Sequence, residues 1–388
     1  MMNSPSVFIF CGEQSADIHG SLLAEGLKTI HPDIRICGIG GDRLKNAGVE
    51  IIRDNSDLAV VGFWEAVRQY GKFHALLKQV LDLIRREQIE VVVLIDFPGF
   101  NLRLAQALGK RDVKVIYYIS PQLWAWGIHR LQIVRRCIDH MIVIFDFEKE
   151  FYEKEGIPAT FVGHPLLDSL DTGLATEEFD RFSPPETYQT LIALLPGSRP
   201  SEIKRLLPIF LESIREIRER IPGAAFVVSS ASEERFREIR EINLDFSARH
   251  GTPPVPVFKG DMNQLIKKSD LVLVASGTAT LQTALFGKPM VVAYRVNPIT
   301  YWIIRSLIRT SFISLVNIIA KRQVVPELIQ SQCSSEELAR AVIRFHEDPE
   351  YRKATVSGLR EIQNHVGTPG ASFRAAEIIA KCIDESNS

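Results

Sequence analysis

Cysteine is scarce in this 388-residue chain. Five thiols, Cys11, Cys37, Cys137, Cys333 and Cys382, are scattered, with no CxxC pair and an odd count. That excludes a disulfide framework and a cysteine zinc site, and it reads as reduced thiols in the cytosol. Charge of one sign is lacking too. With 46 Lys+Arg against 47 Asp+Glu, the net charge of −1 leaves no basic coat of the kind nucleic-acid binders carry. Long apolar runs are also missing. The longest uncharged stretch, 271–287, is interrupted by Ser276, Gly277, Thr278, Thr280, Gln282 and Thr283, too polar for a bilayer span. The N-terminus runs straight into Val7-Phe8-Ile9-Phe10 without the charged start and long apolar core of a signal peptide. A soluble or peripheral cytoplasmic chain is expected. Finally, no GxGxxG follows an apolar run, and Gly287-Lys288 leads into Pro289 instead of completing a P-loop. Dinucleotide oxidoreductases and P-loop enzymes are disfavoured.

What is present is alternation. Val/Ile-rich runs at 7–11, 34–38, 49–53, 91–95, 113–119 and 140–145, then 190–195, 224–229, 255–258, 270–275 and 289–294, read as parallel strands buried on both faces. Amphipathic stretches such as 16–30, 66–86, 201–220 and 335–347 fall between or after them, which predicts α/β domains with right-handed crossovers. Between Asp168 and Tyr188 the pattern lapses (Asp171-Thr172, Ser183-Pro184-Pro185), and it restarts at Leu191. Two doubly wound domains with a cleft between them are expected, followed after about residue 334 by helices alone.

Ligands of open parallel sheets bind beyond the carboxyl ends of the strands. Two strand-to-helix turns there are built for an anion: Pro196-Gly197-Ser198-Arg199 and Ser276-Gly277-Thr278-Ala279-Thr280. Small residues admit an anion to backbone N–H groups at a positive helix end, and Arg199 adds a planar fork. A diphosphate fits both. The plain alternative is that Ser198, Ser276 and Thr278 only cap helices. Asp96, delivered by the run 91–95 into Phe97-Pro98-Gly99-Phe100-Asn101, is placed for general-base work, or else for capping. Glu13 and Asp17 flank Ser15 after the first strand with the same two readings, and His19 and His164 are weaker candidates. Residues 103–136 carry seven Lys/Arg against Asp112 alone, around Ser120-Pro121-Gln122-Leu123-Trp124-Ala125-Trp126. Residues 295–322 hold five basic residues and no acid, near Tyr301, Trp302 and Phe312. Both stretches suit an anionic lipid surface, or simply a solvated face. Val60-Val61-Gly62-Phe63-Trp64 reads as core or as an acyl-chain surface.

Taken in order, the motifs resemble those of a known family. They are Gly12-Glu13-x-Ser15-x-Asp17, Val61-Gly62-Phe63-Trp64-Glu65, Ile95–Asn101, Ser120–Trp126 and Val162-Gly163-His164-Pro165-Leu166. The second half adds Leu195-Pro196-Gly197-Ser198-Arg199-x-x-Glu202-Ile203, Ala275–Leu281, and Asn317 followed by Val325-Pro326-Glu327-Leu328. From about Val7 to about Gln330 the chain resembles the lipid-A-disaccharide synthase family, inverting glycosyltransferases of the GT-B fold. The resemblance implies two Rossmann-like domains facing a central cleft: 1–170 facing acceptor and membrane, and 188–345 holding a UDP-sugar donor. Helices in 346–388 would pack back on the first domain. It implies transfer of 2,3-diacylglucosamine from UDP to 2,3-diacylglucosamine 1-phosphate (lipid X), giving a β-1,6-linked disaccharide 1-phosphate and UDP. The place implied is the cytoplasmic face of the Gram-negative inner membrane, in lipopolysaccharide synthesis.

Carried over by position, the resemblance makes Asp96 catalytic. It assigns the donor to Gly197, Ser198, Arg199, Ser276, Gly277, Thr278, Ala279, Thr280, Gln282, Asn317 and Glu327. The acceptor falls to Gly12, Glu13, Ser15, Asp17, Ser120, Pro121 and Trp124. No cofactor is implied, and with no Asp-x-Asp tripeptide in the chain no metal is either. The partners implied are both lipid substrates and an anionic membrane surface, without nucleic acid; a homo-oligomer is compatible. Two positions depart from the family: Gln282 stands where it has Glu, and Ala16 where it has a second glycine. Another GT-B UDP-sugar enzyme, or a silent UDP-sugar-binding paralogue, remains open from sequence.

Overall fold

The structure is a computed structural model describing residues 5–55, 70–109, 113–125, 127–170, 188–298, 301, 305 and 310–386. The chain forms two compact units, Met1–Asp171 with Val366–Ser388, and Thr172–His365. Val60–Trp64, Trp126, Trp302 and Ser183–Pro185 lie outside the described residues.

The first unit is a parallel sheet of β1 (Ser6–Cys11), β2 (Arg35–Gly40), β3 (Glu50–Asp54), β4 (Val91–Ile95), β5 (Lys114–Tyr118), β6 (His140–Val143) and β7 (Ala159–Phe161). Its order is β3-β2-β1-β4-β5-β6-β7. β1 and β4 are buried along their whole length because helices cover both faces, which is why they read as unbroken apolar runs. Phe8, Phe10, Val92 and Leu94 point into one core with Phe100 and Leu104 of the helix Pro98–Leu108, where Phe10 stacks on Phe100 at 4.6 Å.

The second unit repeats the winding with β8 (Thr190–Leu195), β9 (Ala224–Ser229), β10 (Val257–Phe258), β11 (Leu271–Ala275), β12 (Met290–Tyr294) and β13 (Glu327–Ile329), ordered β10-β9-β8-β11-β12-β13. Each strand expected from sequence is present, though β10 is shorter than 255–258. Pro253, Pro254 and Pro256 have no N–H to pair, and Pro256 only accepts from Val228 N–H (2.9 Å). β7 and β13 were not expected. They are three-residue edge strands, largely half-buried, and make no apolar run to notice.

The C-terminal helices divide instead of packing back together as expected for 346–388. Pro349–His365 stays in the second unit, where Gly358 lies so close to Val324 that a Cβ would come within 2.8 Å of it. Ala371–Ser386 belongs to the first, burying Ala375, Ala376, Ile379 and Ile383 along the helix Gln14–Ile30. Asp168 fixes its start by accepting from Gly370 N–H (2.5 Å) and Ser372 N–H (3.2 Å).

Each sheet has its topological switch point between its two central strands, β1/β4 and β8/β11, so ligand loops are expected to leave there.

Candidate active site

At the first switch point the loops after β1 and β4 meet closely. A Cβ on Gly12 would stand 2.6 Å from the Phe97 ring, so only glycine fits. Asp96 (φ 45°) and Phe97 (φ 46°) are both left-handed, a strained conformation for side-chain-bearing residues that costs of order 1–3 kcal/mol each and gathers at functional sites. Neighbours enforce it. The fully buried Asn101 donates from Nδ2 to the carbonyls of Ile95 (3.2 Å) and Asp96 (2.6 Å), and Tyr117 Oη donates to the Asp96 carbonyl (2.5 Å). With its backbone clamped, Asp96 presents a half-buried carboxyl. Burial pushes it up to about 6, the Glu13 carboxylate adds to the rise, and the Phe97 N–H opposes it. An acid poised near neutrality suits a general base.

The other first-unit residues separate into two groups. Glu13 and Ser15 are exposed at the start of the helix Gln14–Ile30. Asp17 is turned away from solvent, a correction to its expected place in an acceptor site. It is buried, and its two oxygens accept from the N–H groups of Gly41 (2.6 Å), Arg43 (3.1 Å) and Leu44 (3.3 Å), tying down the helix Asp42–Asn46. Ser120 is buried, and the Pro121 carbonyl accepts from Tyr152 Oη (2.8 Å). Trp124 is half-buried and donates from Nε1 to Glu148 (3.0 Å), with Phe147 edge-on at 5.0 Å. Sequence reasoning missed Glu148. It is buried, its carboxyl is pushed up to about 7 by burial, and it also accepts from the N–H groups of Ile144 and Phe145 at 3.3 Å each. The available signal was its place as the third residue of the helix Asp146–Lys154, where capping carboxylates sit. His19 and His164 lie near each other and near Asp168. Burial holds them down at about 4 and about 3, so neither is charged at neutral pH.

The second switch point is built in the opposite way. Gly197 (φ 104°) bends so tightly over Glu202 that no Cβ fits. Glu202 closes a capping box on the helix Pro200–Arg220, its carboxylate accepting from Arg199 N–H (3.4 Å) and lying 3.5 Å from the Arg199 guanidinium. Arg199 is otherwise open, its side chain 77% exposed, and Ser198 is exposed without capping anything. The helix Thr278–Leu285 starts after Gly277 with no side-chain cap and open space beside that glycine. Other helices of the unit are capped conventionally, by Ser232, Asp261, Ser314 and Ser334. Ser198, Ser276 and Thr278 thus cap neither switch-point helix, the first being closed by Glu202 and the second having no side-chain cap. What those turns offer is the N–H groups of 197–198 and 277–279, a guanidinium, and the exposed Thr278.

Three donor candidates sit deeper. Gln282 is buried and its Nε2 donates to Asn263 Oδ1 on the helix Met262–Lys268. Asn317 has no exposed surface. Its Nδ2 donates to Val325 O (2.9 Å) and Glu327 Oε1 (2.7 Å), and its Oδ1 accepts from Val324 N–H (2.8 Å) and Val325 N–H (3.0 Å). Glu327 also accepts from Ile313 N–H (2.9 Å), Ser314 N–H (3.0 Å) and Ser314 Oγ (2.7 Å). Direct donor contact by Asn317 is therefore corrected. With both ends of its amide used, it and Glu327 lock residues 313–314 and the start of the helix Leu315–Ala320 onto β13, and the Ser276 hydroxyl donates to Ile313 O (3.4 Å) just before that helix. Among the described residues no group of three His, Cys, Asp or Glu could hold a metal, and no helix is long and apolar enough to cross a membrane.

Two doubly wound parallel sheets with these sites at their switch points define the GT-B class. The fold is similar over nearly full length to solved structures of low sequence identity. One is a UDP-N-acetylglucosamine 2-epimerase from Neisseria meningitidis bound to UDP-GlcNAc, with 15% identity, 97% of this chain and 100% of that one covered, and TM-score 0.66. Another is a glycosyltransferase from Rickettsia africae, with 13% identity, 99% of each chain covered, and TM-score 0.58. The family described as Lipid-A-disaccharide synthetase matches residues 7–379. Proteins named lipid-A-disaccharide synthase from Syntrophus aciditrophicus (38% identical, 100% of each chain) and Trichlorobacter lovleyi (36%, 98% of each) are similar throughout. The chain belongs to the lipid-A-disaccharide synthetase family, glycosyltransferases of lipid A biosynthesis that use a UDP-sugar donor.

Proposed function

We propose that the chain transfers 2,3-diacylglucosamine from UDP to O6 of 2,3-diacylglucosamine 1-phosphate, with inversion and without a metal. Asp96 takes the proton of the acceptor 6-hydroxyl as O6 attacks the anomeric carbon, and UDP leaves from the opposite face. The charge growing on UDP is met by the Arg199 guanidinium and by the backbone N–H groups at 197–198 and 277–279. The first unit serves acceptor and membrane, and the second serves the donor. Glu13 acts through Asp96, keeping its proton affinity high. Glu148 fixes Trp124, while Asn317 and Glu327 support the loop behind the second turn. Basic residues in 103–136 and 295–322 rest on the anionic cytoplasmic face of the inner membrane. The supporting observations are a clamped, half-buried Asp96 in the first unit and, in the second, two small-residue turns at which Ser198 and Thr278 cap no helix. The test is turnover with both lipid substrates. Formation of the β-1,6 disaccharide phosphate in excess EDTA is expected. UDP binding without product would mark a silent paralogue instead.

A further inference from the structure

The second unit carries a pocket that this mechanism does not use. Its volume is about 680 Å³, and its lining includes Arg205, Arg295, Asn297, Tyr301, Gln330 and Ser331. Arg295 directly follows β12 and Gln330 directly follows β13. These strands are parallel neighbours with Tyr294 opposite Ile329, so the two residues emerge side by side. Arg205 comes from the helix Pro200–Arg220. No acid lines the pocket, both guanidiniums are exposed, and among the described residues neither is paired with a carboxylate. On the same helix Arg215 and Arg220 do have carboxylate partners, Glu219 and Glu347. A second pocket nearby, of about 700 Å³, is lined by Glu327 and Glu337 with no Lys or Arg and would repel an anion.

The base of Arg295 is held in place. Gln330 accepts from Val296 N–H through Oε1 (2.8 Å) and donates to Val296 O through Nε2 (3.2 Å). Gln330 itself is left-handed (φ 53°), strain of the kind that persists where a ligand clamp over-determines the backbone. Two unpaired arginine forks in one acid-free pocket, one on a pinned loop and one on a long helix, match the flat oxygen edges of a phosphate.

We propose that Arg205 and Arg295 form a binding site for a phosphate ester, separate from the turns at 196–199 and 276–280. The ester comes either from the sugar-phosphate acceptor or from a phospholipid headgroup, and only that choice rests on the function proposed above.

The test uses the full chain saturated with UDP, so that the diphosphate turns are filled, and titrates inorganic phosphate calorimetrically. Arg205→Gln and Arg295→Gln should each weaken binding about ten-fold or more, the loss of one hydrogen bond to a charged group, and the double variant should lose it with unfolding temperature unchanged. Phosphate binding that is absent from the wild type, or equal in the double variant, would overturn the site. Two further arms identify the source. A rise in KM for phosphorylated acceptor in detergent, with none for dephosphorylated acceptor, assigns the site to the acceptor phosphate. An unchanged KM with weaker sedimentation on phosphatidylglycerol vesicles assigns it to the headgroup. If neither arm responds, the phosphate-ester assignment is wrong. If transfer fails altogether while phosphate binding stays arginine-dependent, the transferase reading falls and the site stands.

Discussion

The two units wind their sheets in the same order and finish their switch points in opposite ways. In the first, the polar groups around Asp96 and Asp17 are spent on holding backbone. Asn101 and Tyr117 clamp Asp96, Asp17 ties down the loop at 41–44, and one half-buried carboxyl remains for chemistry. In the second, the helix starts at 200 and 278 leave exposed Ser198, Arg199 and Thr278 to a ligand. A proton acceptor needs a fixed position and a shifted pKa, which require burial. A diphosphate site needs desolvatable donors that nothing else has taken. Identical topology serves both because the requirements fall on loops and not on strands.

The sharpest way to break this contrast is to remove the Asp96 carboxyl. Asp96→Asn should lower turnover by about 10²–10⁴ with folding intact. It should also stabilise the protein. A carboxyl held at about 6 against its ordinary 3.8 binds its proton more tightly in the folded state, so folding stability is lost as pH rises from about 4 to about 6. At pH 8 the variant should gain about 1–3 kcal/mol, at 1.36 kcal/mol per pKa unit, and at pH 4 much less. A fall in both activity and melting temperature at pH 8 would make Asp96 structural. On the other side, Arg199→Ala should cost about 10–100-fold in kcat/KM while EDTA costs nothing. Activity lost in EDTA and restored by magnesium would remove the guanidinium and helix N–H groups from the centre of the donor site.

A smaller effect separates filled caps from open ones. Ser334→Ala removes a cap that accepts from Glu337 N–H (3.3 Å) and should cost about 1 kcal/mol of stability with activity unchanged. Thr278→Ala should do the reverse, leaving thermal unfolding alone and weakening UDP binding several-fold. Equal destabilisation by both would mean that Thr278 is a cap after all. The smallest shift is expected from Glu13→Gln. The acid limb of kcat/KM should lie near pH 6 in the wild type, where Asp96 protonates, and move down once the Glu13 charge is gone. A limb that does not move leaves burial alone to set the Asp96 pKa.

The central strands were legible because burial on both faces leaves unbroken Val/Ile runs, as at Val91–Ile95 and Leu271–Ala275. The edges β7 and β13 were not, since half-exposed three-residue strands leave no such trace. Among site candidates, residue type and position after a strand picked out Asp96, Arg199 and Ser276–Thr280. They could not tell Glu13 from Asp17, two carboxylates four residues apart on the same loop and helix start. Only the fold brings the Gly41–Leu44 backbone onto Asp17 and leaves Glu13 beside Asp96.

The sequence by itself determined the winding of both sheets, the turns at their carboxyl ends and, through the order of its motifs, the family. Those properties are local or periodic, written in runs, caps and short spacings. Tertiary structure decided which polar groups stay available. Asn317 is consumed by Val324, Val325 and Glu327, Glu148 is buried under Trp124, and Arg205 meets Arg295 across 90 positions of sequence. Hydrogen-bond capacity is finite, and its allocation depends on neighbours that only the folded chain supplies.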